Sequence, residues 1–432
     1  MDKSEQYDYI FKEVNTRLQK LYKGEIDEQI VGRIRYEMDE LSKCYDLDII
    51  IKVAEAIKTK KAKGDLYLAR SSQNNSLIFY LLGLGSVNPL PRHTYCPKCH
   101  AFYWGNKKTD LCECCNELLQ EDGYDLPFEI LLDDIKNKGL LFKFSVTDSS
   151  KFVGLPIRTF QSDLIRLAKE LSFTQEEIEK NNVTYEDTEM IMKYLSLPYD
   201  KEELSFYTEK YKKKFICDHN PYIGIEDLGT SLIRDLFNNY FDCYNSFEDF
   251  AKLVAMLHGS GVIEANHLYV CDFLINDLIE DAIATRDDLY NLLVKSNLSK
   301  DDALFICREK TLRNKGDLFN LSEAKLKEAN VDKKYINFIR HISYIFYKGQ
   351  AIANFRLEIK IAKIYLEEPL RYYLAYFRIN KDNLSNIDEV FDFIEAISKA
   401  KSTDMKDIYL ASIDLMERGY NPKTLIKKAL NG

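Results

Sequence analysis

The sequence predicts a mainly α-helical protein with a small α+β region that contains a zinc site. Three observations predict this. Apolar residues recur at helical spacing near the start, as Ile26, Ile30 and Ile34 beside a charged face. Helix-start signatures recur from about residue 160 onward. Between the two, prolines, glycines and five of the ten cysteines gather in one irregular stretch.

Four regions follow in order. Residues 1–64 read as an N-terminal helical region that closes on a lysine-rich turn, Lys58 to Lys63, and then Gly64. Residues 65–158 read as the α+β region. Two β-type runs fall in it, Leu77-Ile-Phe-Tyr80 and Leu140-Leu-Phe-Lys-Phe144, together with Pro89, Pro91, Pro97, Gly105, Gly123 and Pro127. Residues 159–380 read as a helical domain. Its caps pair a hydroxyl with an acid three residues on: Thr174 with Glu177, Ser246 with Asp249, Thr285 with Asp288, and Ser299 with Asp302. The hydroxyl accepts from free N–H groups and the acid sits at the positive helix end. Residues 381–432 read as a C-terminal helical segment.

The 432 residues and 46% hydrophobic content suffice for a sizeable core. The net charge of -9 argues against a generally basic nucleic-acid coat and leaves room for a local basic groove. No run of about 18 apolar residues is present, so no membrane span and no membrane partner is expected. The charged start, Met1-Asp-Lys-Ser-Glu-Gln6, does not resemble a secretory signal, and the expected compartment is the cytoplasm. Cys44, Cys217, Cys243, Cys271 and Cys307 stand singly, as buried thiols do in a reducing compartment.

The remaining cysteines carry chemistry. Cys96-Pro-Lys-Cys99 and Cys112-Glu-Cys-Cys115 are two Cys-x-x-Cys pairs separated by twelve residues. Two residues between paired cysteines let both thiolates face one tetrahedral metal, while N–H groups of the tight turn reach the sulfurs. Two facing pairs give a closed four-sulfur shell, which suits a structural Zn2+ rather than a catalytic one. Cys114 and His100 are spare donors, and sequence alone leaves open whether either replaces one of the four.

With its flanks, the cysteine region resembles a known family. Val87-Asn-Pro-Leu-Pro-Arg-His-Thr-Tyr-Cys-Pro-Lys-Cys99 and Gly123-Tyr-Asp-Leu-Pro-Phe-Glu129 resemble the PolC type of DNA polymerase III alpha subunit. So do Ile223 to Thr230, Leu257 to Gly261, Arg286-Asp-Asp288, Tyr344 to Phe355, Pro369 to Phe377 and Met416 to Tyr420. The resemblance implies a four-cysteine zinc site beside a palm, and a helical fingers-like domain over 159–380. It also implies that the palm is largely deleted, because only about twenty residues, 142 to 163, stand where most of it belongs. The family's exonuclease, amidohydrolase-like, clamp-binding and duplex-binding parts are not expected in this chain.

Nucleotidyl transfer needs two metal ions held by carboxylates on neighbouring strands, with an Asp-x-Asp signature because residues i and i+2 share a face. By the resemblance, Phe142 and Phe144 take those positions, with Lys143 between them. Phe152-Val-Gly-Leu-Pro156 has no carboxylate for the third ligand. Asp133 and Asp134 read as surface acids, and Asp148 and Asp163 as isolated ones. The triphosphate loop reads Ala69-Arg-Ser-Ser-Gln-Asn-Asn-Ser76, without the glycines that let backbone N–H groups approach phosphate. No catalytic residues are assigned. Candidate nucleotide or nucleic-acid contacts are Arg70, Lys348 (with Gln350 where the family has histidine) and the cluster Lys212, Lys213 and Lys214.

The expected function is that of a catalytically inactive PolC-like protein, a binding, accessory or interference factor in DNA replication or a related process. Its partner is DNA or a replisome protein. The alternative is one subunit of a split DNA polymerase whose palm comes from another chain.

Overall fold

The computed structural model describes residues 2–22, 26–44, 47–105, 111–148, 152–183, 187, 247–266, 282–309, 316–384 and 403–431. They fall into two compact units. One draws on 1–162, 174–182 and 258–354, and the other on 163–173, 183–257 and 355–432. Helices dominate both, with two small sheets in the first.

The first unit begins with three helices, α1 (Lys3–Leu21), α2 (Glu28–Cys44) and α3 (Leu47–Ala62). A reciprocal capping box starts α1: Glu5 N–H donates to Asp2, and Asp2 N–H donates to Glu5. Each helix buries one stripe at spacings of three and four: Ile10, Val14 and Leu18; Ile30, Ile34, Met38 and Leu41; Ile50, Val53 and Ile57. Each such side chain contributes about 1.5–3 kcal/mol by leaving water. Lys58 to Lys61 belong to the last turns of α3 rather than to a turn, and Gly64, at φ 82, follows the helix.

The stripes pack over α4 (Leu77–Leu81) and a sheet of β1 (Tyr67–Ala69), β5 (Phe142–Val146) and β6 (Ile157–Gln161), in the order β1-β5-β6. Strand β5 runs antiparallel to β1 and parallel to β6. The run at Leu77 to Tyr80, expected as β-type, is helical. Ser76 caps it by accepting from Phe79 N–H, and buried Glu37 accepts from the N–H groups of Leu77 and Ile78. A buried carboxylate at a helix start satisfies donors that no strand neighbour reaches.

A second sheet, in the order β3-β2-β4, is antiparallel throughout: β2 (His93–Tyr95), β3 (Phe102–Trp104) and β4 (Gln120–Asp122). Helix α5 (Phe128–Lys138) then leads into β5. Helices α6 (Asp163–Glu170) and α7 (Gln175–Glu179) follow, and α7 starts on the Thr174–Glu177 capping box. Further on come α8 (Phe247–His258), α9 (Arg286–Lys295), α10 (Lys300–Glu309), α11 (Gly316–Glu328), α12 (Lys333–His341) and α13 (Lys348–Glu367). The Thr285–Asp288 box caps α9, and Ser299 accepts from Asp302 N–H at the head of α10. Ser246 lies outside the described residues.

In the second unit, α14 (Pro369–Ile379), α15 (Thr403–Glu417) and α16 (Pro422–Asn431) pack together with α6. Their core is aromatic: Tyr372 is fully buried, its ring centroid 5.0 Å from that of Tyr365 and 5.2 Å from that of Tyr373. The Tyr365 and Tyr373 hydroxyls both donate to Asp414, which also accepts from Arg418.

Candidate metal centre and the inner polar network

The two cysteine pairs fold into two copies of one backbone turn. In the first, Cys96 N–H donates to Ala101 O (2.9 Å) and His100 N–H to Cys96 O (2.9 Å). In the second, Cys112 N–H donates to Glu117 O (2.8 Å) and Asn116 N–H to Cys112 O (2.8 Å). His100 (φ 62) and Asn116 (φ 56) hold the matching left-handed position in each turn. The turns bring the sulfurs of Cys96, Cys99, Cys112 and Cys115 within 4.8 Å of one another. Cys96 Sγ lies 3.4 Å from Cys115 Sγ, and Cys99 Sγ lies 3.3 Å from Cys112 Sγ. Disulfide sulfurs stand about 2.05 Å apart. A tetrahedral metal with bonds of about 2.3 Å holds its sulfurs roughly 3.8 Å apart, so this donor set fits one metal ion.

Burial works against ionisation of the Cys96 thiol, but the N–H groups of Cys99 and Lys98 outweigh it and lower its pKa to about 6. Cys114 points out and is exposed, and His100 stands outside the sulfur cluster. Of the single cysteines, Cys307 is buried, its pKa pushed up to about 12 by burial, and Cys44 is half-buried. Cys217, Cys243 and Cys271 lie outside the described residues.

A polar chain ties the sheet beside the cysteine cluster to the helices. Asn88 Nδ2 donates to the Tyr22 hydroxyl (2.6 Å) and to Asp122 (2.8 Å). The Tyr22 hydroxyl lies 2.8 Å from His93 Nε2, and His93 Nδ1 lies 2.8 Å from Pro91 O. A carbonyl only accepts, so Nδ1 carries the proton and Nε2 accepts from Tyr22. Burial lowers the pKa of His93, against the pull of Asp122, and favours this neutral ring. Tyr95, Phe102 and Trp104 surround it.

A second polar network fills the region where the triphosphate loop was expected. Ser71–Asn75 form a 3-10 turn, and residues 72–76 are buried. Gln73 donates to Leu84 O (2.8 Å) and accepts from Lys143 N–H (2.7 Å). Asn74 donates to Ala69 O (3.0 Å) and accepts from Ser86 N–H (2.8 Å). Asn75 donates to Pro127 O (3.0 Å) and to Asp287 (2.6 Å), and Ser76 donates to Glu37 (2.7 Å). The turn is thus filled by its own amides. Gln350, at the family histidine position, accepts from Ser71 N–H at 2.7 Å. A Cβ on Gly349 would stand 2.5 Å from Asn74 Cβ, so only glycine lets α13 approach this turn.

Asp133 and Asp134 are not free surface acids. They lie on helix α5, where successive residues are about 100° apart, rather than on a strand. Asp134 accepts from Ser72 Oγ (2.6 Å), Tyr347 OH (2.9 Å) and Lys138 (2.6 Å), with Arg286 at 3.4 Å. Burial pushes its pKa up, but the charges of Arg286 and Lys138 and the bonds from Lys138 and Ser72 outweigh it and lower the pKa. Asp133 pairs with Arg308 at 2.5 Å, yet burial raises its pKa. Sequence reading missed Arg286, Arg308 and Tyr347 as the partners; no local signal links positions more than 150 residues apart.

On β5, Phe142 and Phe144 turn inward. Their rings lie 5.1 Å from Phe79 and 5.9 Å from Tyr67, between centroids. Lys143, between them, takes the opposite face. Arg70 donates to Ser145 Oγ (3.0 Å) and sits 4.8 Å from the Phe160 ring centre. Lys348 is buried at the head of α13, where its N–H donates to Asp287 at 2.9 Å. Lys212, Lys213 and Lys214 lie outside the described residues. Among the described residues, no helix is long and apolar enough to cross a membrane.

Comparison with known proteins matches residues 8–139 to the profile of the bacterial DNA polymerase III alpha NTPase domain. The PolC-type DNA polymerase III of Clostridium perfringens is 31% identical over 48% of this chain and 14% of its own length. That of Mycoplasmopsis pulmonis is 24% identical over 89% of this chain and 33% of its own. That of Ureaplasma parvum is 21% identical over 93% and 36%. The chain spans about a third or less of the length of these curated relatives. These matches, which reach over most of the chain, relate it to the PolC-type DNA polymerases III.

Proposed function

We propose that this chain is a catalytically silent PolC-related protein that works by binding, as an accessory or interference factor in a DNA-related process. One observation carries the reading. Where the resemblance places an Asp-x-Asp metal pair, Phe142 and Phe144 stand fully buried in the core, each 1% exposed. An aromatic face packed on Phe79 and Tyr67 offers a divalent cation no oxygen, and hard cations such as Mg2+ require oxygen ligands. The amide-filled turn at residues 71–75 supports the same reading, because its side chains are spent on the protein itself.

The four cysteines hold one structural Zn2+, which closes the two turns and has no open position for substrate. The compartment is the cytoplasm, where free thiols persist.

Titration of the full chain with Mn2+, followed by electron paramagnetic resonance, tests the silent site. The expected result is no tight Mn2+ binding. Saturable binding that is lost on Asp133→Asn or Asp134→Asn substitution would show a rebuilt carboxylate site and overturn the reading.

A further inference from the structure

The four sulfurs that suit a metal ion are also placed to react with one another. Two close sulfur contacts run between the turns, Cys96 to Cys115 at 3.4 Å and Cys99 to Cys112 at 3.3 Å. The two contacts share no atom, so both can close to a bond and leave no sulfur over. A disulfide is about 2.05 Å long, so each sulfur has to move by less than about 1 Å. Within the first turn, Cys96 Sγ accepts from Cys99 N–H at 3.4 Å, which ties that sulfur to the turn's own backbone.

Each contact joins a reachable sulfur to a shielded one. Cys99 is exposed and Cys112 is buried, and Cys115 is half-buried and Cys96 buried. A small hydroperoxide meets the outer sulfur, with the inner one behind it as the resolving group. Cys114 is exposed as well, but its sulfur stands outside the cluster.

The pairing decides what happens to the fold. Bonds from Cys96 to Cys99 and from Cys112 to Cys115 would leave the two turns unlinked. Crossed bonds join residues 19 and 13 apart in sequence, one loop nested in the other. A larger closed loop removes more chain entropy from the opened state, so the nested pair clamps the two turns together as a metal ion would.

We infer that the cluster is a redox switch, in which a hydroperoxide converts its thiolates to the crossed disulfides Cys96–Cys115 and Cys99–Cys112, releasing Zn2+ while the two turns stay closed. This rests on the reading that the four cysteines hold Zn2+. In each pair the outer thiolate attacks a peroxide oxygen, the O–O bond breaks, and a sulfenic acid forms as hydroxide leaves. The inner thiolate then attacks that sulfur, the S–O bond breaks, and a second hydroxide leaves. Two electrons pass from each sulfur pair to one peroxide. Two peroxides therefore give two disulfides, four hydroxides and one free Zn2+. Thiol–disulfide exchange with a dithiol reductant reverses the switch.

The test treats the full chain with a small molar excess of hydrogen peroxide. Zinc is first measured in the untreated chain, and its release is followed with a chromogenic chelator. Free thiols are then blocked, and the denatured chain is cut after Lys98 and Glu113, which separates Cys96 from Cys99 and Cys112 from Cys115. Mass spectrometry of the linked peptides reads the pairing. The expected result is loss of one zinc per chain with Cys96 linked to Cys115 and Cys99 to Cys112, and the same result in Cys114→Ser. Hydrogen exchange over residues 93–122 should stay low in the oxidised chain and rise in a reduced chain stripped by a chelator. Links within one turn, links to Cys114, sulfinic acids in place of disulfides, or zinc that stays bound would overturn the switch and leave the metal reading standing. Fast exchange over 93–122 in the oxidised chain would overturn it too. An untreated chain that holds no zinc and takes none up would overturn the metal reading, and the switch with it.

Discussion

The Tyr22 hydroxyl and His93 Nε2 stand 2.8 Å apart and join the end of the first helix to the sheet beside the four-cysteine cluster. Both groups are buried, and the same hydroxyl accepts from Asn88. Tyr22→Phe removes one oxygen, leaves buried His93 Nε2 without its donor and takes one of two acceptors from Asn88 Nδ2. The expected loss is about 1–3 kcal/mol of stability, since an unmade buried bond costs the desolvation of what remains. Chemical denaturation measures it. The bound metal should be retained, because no ligand is touched.

Gly123 sits at φ +90, and a Cβ there would lie 2.3 Å from Pro91 O and 2.8 Å from His93 Nδ1. Gly123→Ala meets both backbone strain and a clash with the acceptor that fixes the His93 tautomer. It should destabilise the protein by more than about 1 kcal/mol. Gly105→Ala (φ +73), with no atom within 4 Å of its added Cβ, meets backbone strain alone and should cost less in the same thermal-melt assay.

The geometry of the knot separates its neighbouring cysteines. Elemental analysis should find one zinc per chain. Cys115→Ser should lose it, whereas Cys114→Ser, altering an exposed side chain outside the cluster, should keep it. Chelation should raise hydrogen exchange over residues 93–122 while leaving α1–α3 protected, since those helices have their own apolar core.

Asp134 gives an acid-sensitive contribution to stability. Its folded pKa lies below the ordinary carboxylate value of about 3.9. The fold therefore prefers the ionised form, and the stabilisation is complete above about pH 5 and lost as pH falls below about 4 through the lowered folded value. Asp134→Asn should flatten this acid limb. It leaves Arg286, whose side chain is only 3% exposed, without its carboxylate, and breaking such a buried pair costs about 3–5 kcal/mol. Urea titrations at pH 7 and pH 3 measure both effects.

Much of the fold was legible where the signal is local. The Cys-x-x-Cys spacing encodes its own turn, so the knot could be read directly. The capping pairs at Thr174 and Thr285 are likewise three residues apart. The run at Leu77 to Tyr80 misled because four apolar residues fit a buried helix turn as well as a strand. Its deciding partner, Glu37, is 40 residues away. The inward turn of Phe142 and Phe144 follows from β alternation. The register pairing of Lys143 with Arg158 does not, because it exists only after β5 pairs in parallel with β6. The Asp134 hub was hidden for the same reason: Arg286 and Tyr347 arrive from the far end of the unit.

The central claim is that aromatic packing has replaced the metal-holding carboxylates. Primer extension with the purified full chain, Mg2+ or Mn2+, and a labelled primer–template tests it most directly. The account predicts no incorporation above a no-protein control with either ion. Nucleotide addition that a chelator abolishes, and that survives removal of any co-purifying polymerase, would contradict it.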